Sequence, residues 1–82
     1  MNKPHDNGND SNIEIHRLEE AVEVETKIIE SNPDDAQAIF RRGVLYGQLV
    51  QPLLAIEDFS MVVHLETDNA DAYYNRGMAH IH

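Results

Sequence analysis

The chain contains no cysteine. No disulfide framework can hold it together and no thiolate can ligate a metal. Basic residues are scarce as well: six lysines and arginines stand against fifteen aspartates and glutamates, giving a formal charge of −9 and a pI near 4.7. A nucleic-acid binder gathers Lys and Arg on one face to meet phosphate, so this balance argues against that class and against attraction to anionic membrane. Apolar runs are only a few residues long, far short of the roughly 20 residues that span a bilayer. The N-terminus has one lysine, Lys3, and no hydrophobic stretch of the secretory kind. A cytoplasmic setting is the default expectation. Also missing are a Gly-rich phosphate loop, a nucleophile elbow and triad spacing. Neither an enzyme nor a cofactor is expected.

What remains is an ordinary globular composition, 41% apolar and 26% charged over 82 residues, enough for one domain with a modest core. Residues 1–12 hold no large apolar side chain after Met1 and are expected to form a disordered tail. Residues 13–82 read as one helical domain. From about Ile13 to Glu30, Leu18, Ala21, Val22, Ile28 and Ile29 fall on one stripe at helical spacing, with Glu19, Glu20, Glu23 and Glu30 outside it. Pro33 stops that helix by pushing the residue before it out of the α region. Asp34 is the expected cap of a second helix, Asp35 to Leu49, with Gln37 placed to close a capping box. A third helix starts at Pro52, where a missing N–H is harmless, and carries Leu53, Ala55, Ile56, Phe59, Val62 and Val63. Asp68 is the expected cap of a fourth, from Ala70 to the end. Nothing reads as a strand, and helices so closely spaced must pack antiparallel.

An internal echo organises these helices. The stretch Ala36–Gly43 recurs 34 residues later as Ala70–Gly77, with Ala36/Ala70, Ala38/Ala72, Arg42/Arg76 and Gly43/Gly77 identical and Ile39/Tyr73 and Phe40/Tyr74 still large and apolar. Such a period marks a repeat array. Glycine inside a helix costs about 1 kcal/mol against alanine, so a repeated one suggests a close neighbour.

These positions resemble the tetratricopeptide repeat, whose unit is a 34-residue helix–turn–helix. Gly43 and Gly77 match its first-helix glycine and Tyr46 the aromatic that follows, while Ala55, Phe59 and Val62 match its second helix. Ala21, Val22 and Ile28 precede Ala55, Ile56 and Val62 by one repeat length. The resemblance implies an all-α solenoid of about four helices: a half-unit at 13–35, a full unit at 36–69 and a half-unit at 70–82. Several positions depart from the pattern. Glu25 stands where Phe59 stands one repeat later, which leaves one side of the first half-unit wet. Val50 and Gln51 replace the usual Gly-acidic turn and Pro52 replaces an aromatic. Thr67 replaces a proline and is expected to loosen its junction. The apolar face of the last helix, with Tyr73 and Ala79, lacks a covering helix. Either the chain is a fragment of a longer array or a second copy covers it through a homo-oligomer.

In this family the first helices line a groove for a peptide or partner helix. That implies a protein-interaction scaffold, with Gln37, Phe40, Arg41, Val44, Gln48, Asp71, Tyr74, Asn75 and Met78 facing the partner. The plainer alternative is that Phe40, Tyr74 and Met78 only pack against neighbouring helices. A clamp for a peptide carboxylate is not expected: Asn75 matches one of its positions, but Phe40 and Val44 replace its lysine and asparagine. Arg41, Arg42 and Arg76 are half the basic residues, and pairing with Glu57, Asp58 or Asp71 is favoured over a partner's acids. His80 and His82 project about 200° apart on a helix, unlike the i, i+4 pairs that hold metal. With His5, His16 and His64 scattered, no metal site is expected. Glu19, Glu20, Glu23 and Glu25 read as a solvated face, with Glu23–Lys27 an i, i+4 pair.

Overall fold

A computed structural model describes the backbone from Asp6 to Ile81 and the side chains from Ser11 onward. Four helices follow one another: α1 (Asp6–Ser31), α2 (Ala36–Gln48), α3 (Pro52–Leu65) and α4 (Ala70–Ile81). Each packs against the next, and α2 also touches α4, as an antiparallel helical repeat requires. Residues 1–5 and His82 lie outside the described residues. The first helix begins at Asp6 and not near Ile13. Once a helix is nucleated each further residue adds one hydrogen bond, so α1 runs past its last packed turn.

The two junctions between units are built alike, 34 residues apart. Asp35 N–H donates to the Asn32 carbonyl at 3.0 Å, and Asn69 N–H donates to the Glu66 carbonyl at 3.1 Å. Asp35 Oδ1 then accepts from Ala38 N–H, and Asn69 Oδ1 from Ala72 N–H, both at 3.0 Å. The caps are therefore Asp35 and Asn69, one residue later than the expected Asp34 and Asp68, which are turn residues. With Asp35 as cap the third helical position is Ala38, so Gln37 closes no capping box. Thr67 does not loosen the second junction. The same backbone bond forms there, and Asn69 Nδ2 adds a bond to Glu66 Oε1 at 2.9 Å.

The turn inside the unit is made differently. Gln51 N–H reaches the Tyr46 carbonyl at 2.9 Å and Val50 N–H the Gly47 carbonyl at 3.0 Å, the paired bonds of a left-handed helix end. Val50 supplies the positive φ, 56°. Glycine usually fills that place, and a branched Cβ there costs roughly 1–2 kcal/mol. Val50 is 79% exposed, so its side chain contributes little packing. Val50→Gly is expected to stabilise the fold by up to about 1 kcal/mol, after the added freedom of glycine in the unfolded chain is subtracted. Thermal melting should show a rise of roughly 4–8 °C per kcal/mol; an unchanged or lower midpoint would mean that the turn stores no strain.

Small residues set how closely the helices approach. Ala38, Ala55, Val62 and Ala72 are fully buried, and Ile39, Val62 and Ala72 form a cluster flanked by Ile29, Phe40 and Leu65. The α1 stripe Leu18, Ala21, Val22, Ile28 and Ile29 is half-buried as expected. On α3, Leu53 departs from expectation and is exposed, whereas Asp58 is buried at 6% exposure. At about 100° per residue, Leu53 lies some 120° around the helix from Phe59, beyond the buried face. The overall extents, 53 × 30 × 16 Å, are those of a thin slab. Among the described residues no helix is long and apolar enough to cross a membrane.

Candidate partner-binding groove

The groove-facing positions come from two helical stripes. Gln37, Arg41, Val44 and Gln48 lie at i, i+4, i+7 and i+11 on α2, and Asp71, Asn75 and Met78 at i, i+4 and i+7 on α4, spacings that put each set on one face. Two cavities open along these stripes. One, of about 290 Å³, collects Gln37, Phe40, Arg41 and Asp71 beside Glu66 and Asn69. The other, of about 270 Å³, collects Val44, Gln48, Asn75 and Met78 around Gly43 and Phe59. Tyr74 lines neither and is 66% exposed.

Individual side chains divide between packing and access. Phe40 is half-buried, its ring centroid 5.5 Å from that of Phe59 with the planes tilted by 59°, so it both packs and lines the first cavity. Asn75 donates from Nδ2 to the Asp71 carbonyl at 2.7 Å. Arg41 pairs with neither Glu57, Asp58 nor Asp71. Its Nε and Nη2 donate to the two Glu25 oxygens at 2.8 and 3.1 Å. That pair explains the departure at position 25: where Phe59 packs one repeat later, Glu25 reaches across to a guanidinium. The hydrogen bond to Glu25 raises the proton affinity of Arg41 above its ordinary value, against a smaller opposing effect of desolvation. With Arg41 neutralised, Glu66 and Asp71 leave the first cavity acidic.

Arg42, next in sequence, points elsewhere. It donates to both oxygens of Asp58 at 2.9 and 2.8 Å and to Thr26 Oγ1 at 3.2 Å, tying α1, α2 and α3 together. Its partner Asp58 was among the three expected. Arg76 lies over the Tyr73 ring at 5.3 Å. The bidentate pairs share one signal: Glu25–Arg41 and Arg42–Asp58 are each 16 residues apart, as are Gly43 and the Phe59 ring above it. Beyond the two cavities, α4 exposes Tyr73, Tyr74 and Ile81, and Gly77 has open space where Gly43 meets a ring. Among the described residues no three His, Asp or Glu side chains are placed to hold a metal ion.

Comparison with known proteins gives matches to parts of much longer chains. The TPR repeat-containing thioredoxin TDX of Arabidopsis thaliana is 33% identical over 63 residues, 77% of this chain and 17% of the relative. This chain is a relative of the tetratricopeptide-repeat proteins. The human mitochondrial import receptor subunit TOM70 is 44% identical over 46 residues, 56% of this repeat chain and 8% of the relative. Human protein O-mannosyl-transferase TMTC3 is 38% identical over 65 residues, 79% of the repeat chain and 7% of the relative. The chain thus spans less than a fifth of the length of these relatives. No family model matches it, and no solved structure matches it significantly.

Proposed function

We propose that this repeat module is a non-catalytic docking unit that holds a peptide or partner helix in the groove between α2 and α4, in the cytoplasmic setting its composition suggests. The kinship with tetratricopeptide-repeat proteins supports a protein-interaction role in general. Relatives named as a receptor, a transferase and a thioredoxin each match part of this chain, which favours a function separable from any one chemistry. The observation that carries the reading is the groove lining. Phe40 offers apolar anchorage beside the carboxylates of Glu66 and Asp71, Met78 offers it in the neighbouring cavity, and the guanidinium of the first is already paired with Glu25. Such a surface suits a segment that places an apolar side chain between basic residues.

A lysine-containing peptide titrated against the labelled chain is expected to shift the amide signals of Arg41, Asp71 and Asn75. Asp71→Lys, at an exposed position, should weaken binding about tenfold or more through like-charge repulsion. Binding that survives Asp71→Lys and alanine at Arg41, Tyr74 and Asn75 would place the partner elsewhere.

A further inference from the structure

A larger cavity lies away from the groove. It measures about 850 Å³, against 290 and 270 Å³ for the groove cavities. Both α1 and α3 pack on α2, their backbones do not approach each other closely, and the cavity is lined from both. Ile39 of α2 forms the buried floor, with Ile29 of α1 on one side and Ile56 and Met61 of α3 on the other. A cleft of this size with an apolar lining and a few polar groups has the form of a binding site. The closed Arg42–Asp58 pair also lines it, with both Asp58 oxygens occupied. Glu57 is exposed at the rim and makes no ion pair among the described residues. The one guanidinium lining the cleft is closed in the Asp58 pair, and His64 is the other basic side chain of the lining. The cleft's apolar surface and the exposed Glu57 carboxylate favour an apolar group that carries a positive charge over an acidic ligand. Met61, 46% exposed, supplies a flexible thioether that adapts to varied side chains.

We infer that the α1–α3 cleft is a second docking site, for a peptide segment that seats an aliphatic or aromatic side chain over Ile39 and sets a Lys or Arg against Glu57. It does not rest on the groove reading, because Arg41 and Arg42, adjacent in sequence, direct their side chains to the two different surfaces. The apolar anchor supplies the affinity, and the carboxylate sets orientation and rejects acidic competitors.

The test uses the full chain and a short amidated leucine–lysine peptide, with a leucine–glutamate peptide of the same pattern as control. Amide signals at Ile29, Ile56 and Met61 are expected to shift with the basic peptide and not with the acidic one. Glu57→Lys and Met61→Lys, both at exposed positions, should each weaken that response about tenfold or more, with helical content unchanged by circular dichroism. Asp71→Lys, which tests the groove, should leave it intact. Shifts confined to α4 and the groove face of α2, equal binding of the acidic peptide, or indifference to both lysine substitutions would each overturn the assignment.

Discussion

Replacing Arg42 with alanine is expected to destabilise the fold by about 3 kcal/mol, near the lower end of the range for breaking a buried ion pair. The loss comes from what is left behind. Asp58 is 6% exposed, and Arg42 is its hydrogen-bond donor at both oxygens among the described residues. Without the guanidinium a carboxylate is stranded in the α2–α3 interface. Arg42 keeps 21% of its side chain exposed, so some water reaches the pair and the upper end of the range does not apply. The hydrogen bond to Asp58 outweighs desolvation and holds the proton affinity of Arg42 above its ordinary value, so the pair does not open by loss of the arginine's proton. Domains of this size are stable by only about 5 kcal/mol or little more, and a loss of 3 would bring chemical unfolding close to native conditions. Removing both charges with Arg42→Met and Asp58→Leu should restore most of the loss, because a buried pair is worth little against apolar residues of similar volume. Arg41→Ala is the internal control: its side chain is 49% exposed, and an exposed pair such as Arg41–Glu25 contributes about 1 kcal/mol or less. Equal midpoints for Arg42→Ala and Arg41→Ala would show that Asp58 finds water when its partner leaves.

The contrast between these neighbouring arginines shows where the sequence is legible and where it stops. Helix periodicity and the 34-residue echo depend on residues close together or on direct repetition, and both identified the four helices and the all-α repeat architecture. The second halves of the junctions were misplaced by one residue, because Asp34 and Asp35, like Asp68 and Asn69, are all competent caps and only the turn geometry selects between them. Pairing across helices was harder to read. Arg41 and Arg42 are about 100° apart around α2, so one lies beside the groove and the other under the opposite cleft. Their adjacency conceals that division. Leu53 departs for a related reason: composition marks it as core, while its position around α3 puts it outside the buried face. The 16-residue spacing of Glu25 with Arg41 and of Arg42 with Asp58 was present in the sequence, and became a signal only once the helices were seen side by side.

Alanine at Gly43 and alanine at Gly77 are expected to change stability in opposite directions, although the two glycines are equivalent in the repeat. A Cβ at Gly43 would lie 2.8 Å from Phe59 Cε1, 3.0 Å from Cζ and 3.1 Å from Cδ1. That ring is 3% exposed and braced by Phe40, so it has little room to swing away. Overpacking of this kind costs about 1–3 kcal/mol, and the gain in helix propensity from glycine to alanine returns only about 1 kcal/mol. The net expectation for Gly43→Ala is a loss of up to about 2 kcal/mol. At Gly77 nothing lies within 4 Å of the same Cβ. There the propensity term acts alone, and Gly77→Ala should stabilise the helix by up to about 1 kcal/mol. Chemical denaturation of both variants measures the difference, which amounts to about 1–3 kcal/mol for one substitution at two copies of one motif. A gain at both positions would mean that Phe59 moves aside at little cost, so that Gly43 is not held by its neighbour. A loss at both would mean that α4 already has something against its Gly77 face, and would direct the search for that neighbour to Tyr73, Tyr74 and Ile81.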